Sequence, residues 1–76
     1  MDYIITNHAR EQMQLREITE SDVIYILRSH TVTYPANNGG TTLQGVLLSG
    51  EIVRIWVANS LPLVGPIIIK SLVGEG

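Results

Sequence analysis

From residue 31 to residue 76 the only charged side chains are Glu51, Arg54, Lys70 and Glu75, scattered through runs rich in Val, Ile and Thr. Apolar and polar residues there alternate with period two, the signature of half-buried strands and not of helices. Residues 1–30 read differently, with five acids, three bases and apolar spacings of three and four. The chain therefore divides into a helical first part and a β-rich second part. At 76 residues it has room for a single small core.

Along the chain, Tyr3-Ile4-Ile5-Thr6 predicts a brief strand that ends in a helix-capping residue. Thr6 opens a first helix, in which His8, Ala9, Gln12, Met13, Leu15 and Arg16 share one broad arc across residues 8–16. Thr19 and Asp22 stand at capping-box spacing, and Ile18 and Val23 at hydrophobic-staple positions. Val23, Ile26, Leu27 and His30 carry the helical rhythm on, which predicts a second helix over residues 20–29 with His30 as its cap. Thr31-Val32-Thr33-Tyr34 is strand-like, and Pro35 to Gly40 reads as a turn. Thr42 to Leu48 and Glu51 to Ala58 flank Ser49-Gly50 as a β-hairpin. After a proline-bounded loop, Ile67 to Leu72 forms the last strand, and Val73 to Gly76 is expected to fray. The expected fold is α+β: two N-terminal helices on one face of a four-stranded antiparallel sheet, with a short N-terminal strand, all in one domain over residues 1–76.

Composition excludes several classes of function. With no cysteine there is no disulfide and no thiolate metal site, and two histidines alone do not complete a zinc site, so no metal or cofactor is expected. No apolar run reaches the ~18 residues that cross a bilayer, and Met1 to His8 mix polar and apolar residues. The chain reads as a soluble cytoplasmic protein without membrane contact. A net charge of −2 argues against DNA binding through a broad basic field, so any contact with RNA has to be local. Charged residues make up 16% where roughly 25% is usual, and a sheet so poor in charge invites association with a second copy or a partner.

In Ile52-Val53-Arg54-Ile55-Trp56-Val57, alternation puts Val53, Ile55 and Val57 on a core face and Arg54 and Trp56 together on the other. A guanidinium and an indole two residues apart suit a phosphate and a base. They equally suit a partner contact or a half-solvated sheet face. In the last strand Ile67, Ile69 and Ser71 alternate with Ile68, Lys70 and Leu72, which brings Lys70 to the Arg54 face, unless it only guards an edge. His8 is a candidate acid or base at a helix N-terminus, or a packing residue. Arg16, two turns further on, reads as half-buried and in need of an acceptor. Glu11, Glu17 and Glu20 read as solvated helix charges.

Thr6-Asn7-His8-Ala9-Arg10-Glu11-Gln12-Met13, followed by Arg16-Glu17-Ile18-Thr19-Glu20-Ser21-Asp22-Val23, resembles the opening of a family of small proteins. That family has a THARxRM-like helix, an R-G-I-S/T-x-x-D/E-V segment and a four-stranded sheet. It is similar to the BrnT-type toxins, within the RelE-like ribonuclease fold. The resemblance implies a metal-independent endoribonuclease, the toxin of a toxin–antitoxin pair, with RNA as substrate and an antitoxin-like protein as partner. On that resemblance His8, Arg16, Arg54 and Lys70 are the catalytic candidates, and Trp56, Arg10 and Ser71 contact RNA. The implied chemistry is 2′-hydroxyl attack on the adjacent phosphate, with His8 moving a proton and the cations offsetting charge on the phosphate oxygens. Departures from the pattern are Gln12 for arginine, Glu17 for glycine and Ser71 where a tyrosine is common. The alternative is a catalytically silent interaction module of the same fold, acting as a homodimer or with a partner protein.

Overall fold

The computed structural model describes residues 2–36 and 39–75, apart from the side chain of Glu75. Its elements are β1 (Tyr3–Ile5), α1 (Asn7–Arg16), α2 (Glu20–Ser29), β2 (Val32–Pro35), β3 (Thr41–Val46), β4 (Ile52–Val57) and β5 (Ile67–Glu75). The sheet runs in the order β1-β5-β4-β3-β2. The fold is α+β, with the four antiparallel strands expected from the sequence. One detail differs: β1 joins the sheet as a fifth strand, parallel to β5, through Tyr3↔Ile67 to Ile5↔Ile69. Its three residues cover the first third of one edge of the nine-residue β5.

Both helices start where side-chain oxygens satisfy free amide donors. Thr6 Oγ1 accepts from the Ala9 amide at 3.3 Å. At α2 the capping box is complete, with Asp22 N donating to Thr19 Oγ1 at 3.1 Å and Thr19 N to Asp22 Oδ2 at 3.0 Å. The staple residues Ile18 and Val23 are both buried. Helix α1 stops in a Schellman motif: Glu17 N donates to Gln14 O and Ile18 N to Met13 O, with Glu17 in the left-handed region at φ 57°. At the other helix C-terminus, His30 Nδ1 lies 3.2 and 3.1 Å from the Ile26 and Leu27 carbonyls, so as a donor it caps the last turn.

One face of the sheet carries the core. Leu43, Val53, Ile55, Val57, Ile67, Ile69 and Leu72 pack there against Ala9, Met13, Val23, Ile26 and Leu27 of the helices. Each fully buried Leu or Ile contributes roughly 1.5–3 kcal/mol relative to exposure. Gly45 lets α2 approach β3 closely, since a Cβ there would stand 2.9 Å from Ile26 Cδ1 and 3.3 Å from His30 Cα. The β3–β4 hairpin closes with Gly50 N donating to Leu47 O and Leu47 N to Glu51 O, and Gly50 takes φ 94°. Between β2 and β3, Ala36 N donates to Gly40 O, while Asn37 and Asn38 of the expected turn lie outside the described residues.

The last strand departs from simple alternation. Trp56 pairs with Ser71 but Val57 with Ile69, so Lys70 is an extra residue in β5. This bulge restores Leu72 to the core and turns Ser71 outward. It sits where β1 ends: Thr6 N donates to Ile69 O, and Thr6 Oγ1 to Lys70 O at 3.2 Å. Two positions further, the Leu72 amide donates to Gln12 Oε1 at 2.8 Å. Thus α1 takes over from β1 in satisfying the β5 edge. The tail expected to fray instead continues β5 to Glu75, pairing Val53↔Gly74 and Ile52↔Glu75, while Gly76 lies outside the described residues.

Candidate functional site

Because both helices cover the Val53–Ile55–Val57 face, the opposite face of the sheet has no second layer among the described residues. The strand pairings sort its side chains into two neighbouring rows. One runs Tyr34–Thr42–Trp56–Ser71 across β2, β3, β4 and β5, and the next runs Val32–Gln44–Arg54–Val73. Arg54 and Trp56 thus stand together on the face that alternation assigns them. Ser71 is the residue opposite Trp56, and Lys70 bulges beside it.

Trp56 lines two hollows of about 290 Å³ each. One is lined by Trp56, Lys70, Ser71, Gly40, Val57 and Ala58. The other is lined by Tyr34, Thr42, Arg54, Trp56 and Val73. Each hollow therefore joins the indole to one cation. Arg54 Nε donates to Gln44 Oε1 at 2.8 Å, which fixes the plane of the guanidinium within the second row. Lys70 is exposed, and its ammonium has no hydrogen-bond or ion-pair partner among the described residues. A flat apolar ring between two cations can hold an anion on either side of a stacked aromatic ligand.

The N-terminal candidates lie on the other layer. His8, Arg10 and Arg16 are exposed residues of α1, and none of them lines either hollow. Arg16, read from the sequence as half-buried, is exposed and needs no acceptor from the protein. His8 follows Thr6 by two residues, so it stands at the end of α1 that is tied to Lys70 at the sheet edge. Arg10 is engaged elsewhere: its Nη1 lies 3.4 Å from Glu20 Oε1. The Tyr3 hydroxyl donates to the other oxygen of Glu20 at 2.6 Å. This hydrogen bond, aided by Arg10, holds the Glu20 carboxyl below its usual range, and it raises the Tyr3 phenol above its own. Glu20 is therefore a clasp between β1, α1 and α2 and not merely a solvated charge.

Three open-face residues escaped the reading of the sequence. Tyr34, Thr42 and Gln44 belong to the same two rows, and counting back through the Ser49-Gly50 hairpin pairs Thr42 with Trp56 and Gln44 with Arg54. Asn59, also overlooked, organises the loop beside the first hollow. Its Nδ2 donates to the Val64 and Pro66 carbonyls, its Oδ1 accepts from Ile68 N, and its own carbonyl accepts from Thr41 Oγ1. Among the described residues no cluster of three or more His, Asp or Glu side chains could hold a metal ion. No helix among them is long and apolar enough to cross a membrane. The chain matches no known family model, no curated protein and no solved structure.

Proposed function

We propose that the protein acts on single-stranded RNA at the helix-free sheet face, as an endoribonuclease of the toxin–antitoxin type with a RelE-like fold. The observation that carries this reading is the grouping of Arg54, Trp56, Lys70 and Ser71 around two adjoining hollows. An RNA strand lying over Trp56 stacks a base on the indole, and its flanking phosphates meet Lys70 on one side and Arg54 on the other. In the reaction the 2′-hydroxyl attacks the adjacent phosphorus and the 5′-oxygen leaves, giving a cyclic phosphate and a free 5′-hydroxyl. Lys70 and Arg54 stabilise the charge that grows on the non-bridging oxygens. His8, on the turn of α1 that follows the Thr6 bond to Lys70, is the proton-transfer candidate nearest in the chain to this edge.

The test is incubation of the protein with mixed-sequence RNA in EDTA, with fragment ends read by gel. Lys70→Gln and His8→Ala alter exposed side chains and leave the core intact. Cyclic-phosphate ends from the wild type, reduced about 10²-fold or more in Lys70→Gln, support the reading. Retained cleavage in His8→Ala removes the histidine from the mechanism. Intact RNA in every lane overturns the enzyme. A second reading, a catalytically silent interaction module, draws on a different observation: Ile4, Val32, Val46, Trp56 and Ile68 are exposed apolar residues on this same sheet face. A second copy or an antitoxin-like partner would cover them, and sedimentation at increasing concentration reads the self-association directly.

A further inference from the structure

Thr42 is only 4% exposed although it lies on the face that no helix covers. Its neighbours in the row explain this, since Tyr34 flanks it from β2 and Trp56 from β4. The two aromatic residues are themselves 39% and 49% exposed. Adjacent strands lie about 4.8 Å apart, so residues two strands apart stand about 10 Å apart at the backbone. Stacked aromatic rings have centroids roughly 4.5–7 Å apart, so a third ring held between two others spans roughly 9–14 Å from first to last. The row thus has the width of one flat ring between Tyr34 and Trp56, with the small threonine as its floor.

We propose that Tyr34, Thr42 and Trp56 form a slot that takes one unpaired nucleobase, sandwiched between phenol and indole. The proposal rests on the reading of the open face as an RNA surface and names the part of the nucleotide that each hollow takes. The slot is the hollow of about 290 Å³ that Arg54 and Val73 also line. That volume lies just under the range of pockets for small ligands, as a single base requires. The other hollow that Trp56 lines presents Lys70 and Ser71 to the phosphate of the same nucleotide. Threonine supplies a hydroxyl that donates to or accepts from the edge of any base. The slot therefore selects for an aromatic ring and not for one base sequence. Tyr34 becomes as important to recognition as Trp56, although it lies on an edge strand with no charge.

Trp56 is the only tryptophan in the chain, so its fluorescence reports the slot directly. The probes are a short single-stranded oligoribonucleotide, the four nucleoside monophosphates, ribose 5-phosphate and inorganic phosphate. Quenching by the oligonucleotide and the mononucleotides, with none by ribose 5-phosphate or phosphate, is the expected result. Tyr34→Ala weakens oligonucleotide binding about tenfold and Tyr34→Phe restores it, because the ring and not the hydroxyl stacks. Tighter binding of the oligonucleotide than of mononucleotides identifies a strand as the ligand, and equal affinities identify a free nucleotide, both through the slot. Oligonucleotide binding that is unchanged in Tyr34→Ala but lost in Lys70→Gln overturns the slot and leaves the RNA surface standing. No response to any nucleotide overturns both.

Discussion

Glu17→Gly tests the local backbone argument in numbers. Glu17 holds the left-handed position of the Schellman motif that ends α1, at φ 57° and ψ 37°. An L-residue pays roughly 1–2 kcal/mol in that region, because its Cβ crowds the following carbonyl. Glycine removes that strain but gives the unfolded chain more freedom, a cost of about 0.5–1 kcal/mol. Both capping hydrogen bonds, from Glu17 N and Ile18 N, involve only backbone and survive the change. Met13 and Ile18, on which the motif closes, are both buried and also unaffected. The expected net gain is about 0.5–1 kcal/mol, or about 2–8 °C in melting temperature for a domain of this size. Glu17→Ala is the necessary control, since it removes the carboxylate from a helix C-terminus while keeping the Cβ. Thermal and urea unfolding of the three proteins, at unchanged m-value, give the comparison. A glycine variant no more stable than the alanine variant would refute the reasoning, because the carboxylate alone would then account for any effect.

Gln12→Leu leaves the Leu72 amide at the β5 edge without its acceptor, and a loss of about 1–3 kcal/mol in urea unfolding is expected, with Gln12→Glu milder because it keeps an oxygen there. Full stability of the leucine variant would remove Gln12 from the edge. Asn59→Ala deletes three side-chain hydrogen bonds that hold the loop before β5, so hydrogen exchange at the Ile68 amide should accelerate while amides in α2 stay protected. For Tyr3→Phe the expectation concerns pH. Tyr3 holds the Glu20 carboxyl down, so the wild type is the more stable above the ordinary carboxylate value. That advantage is lost as pH falls through the lowered folded value. On the alkaline side the raised Tyr3 phenol adds stability below its ordinary value, which is lost as pH rises through the folded one. Parallel pH-stability curves for wild type and Tyr3→Phe would contradict the clasp.

How much was legible in the sequence depends on how local the cause is. The start of α2 follows from Ile18, Thr19, Asp22 and Val23, all within six residues, its end from the rhythm up to His30, and both match the observed helix Glu20–Ser29. The facing of β4 follows from alternation alone, and Val53, Ile55 and Val57 are fully in the core. The bulge at Lys70 follows from nothing in β5 itself. It coincides with the place where the three-residue β1 ends at Ile5 and Thr6 bonds the strand edge. The same long-range event hid the role of Gln12, sixty residues from its partner. Glu17 holds the left-handed position that glycine most often fills at a helix end, which nothing in its own residue type announces. Arg54 and Trp56 were visible as a pair, whereas Tyr34 entered only once the β2–β3 register was known. His8 and Arg16 could be placed on a helix arc, but periodicity carries no information on which layer of the fold that arc meets.

If the helix-free face, and not the helical layer, meets RNA, the side-chain NMR resonances of the protein report it as a short single-stranded RNA is added. Shifts are expected at the Trp56 indole N–H, the Arg54 Nε–H and the Gln44 amide, all in the two rows of the open face, and at Ser71 beside Lys70. Shifts confined to Arg10, Arg16 and the outer surface of α1, with the Trp56 indole unmoved, would contradict it.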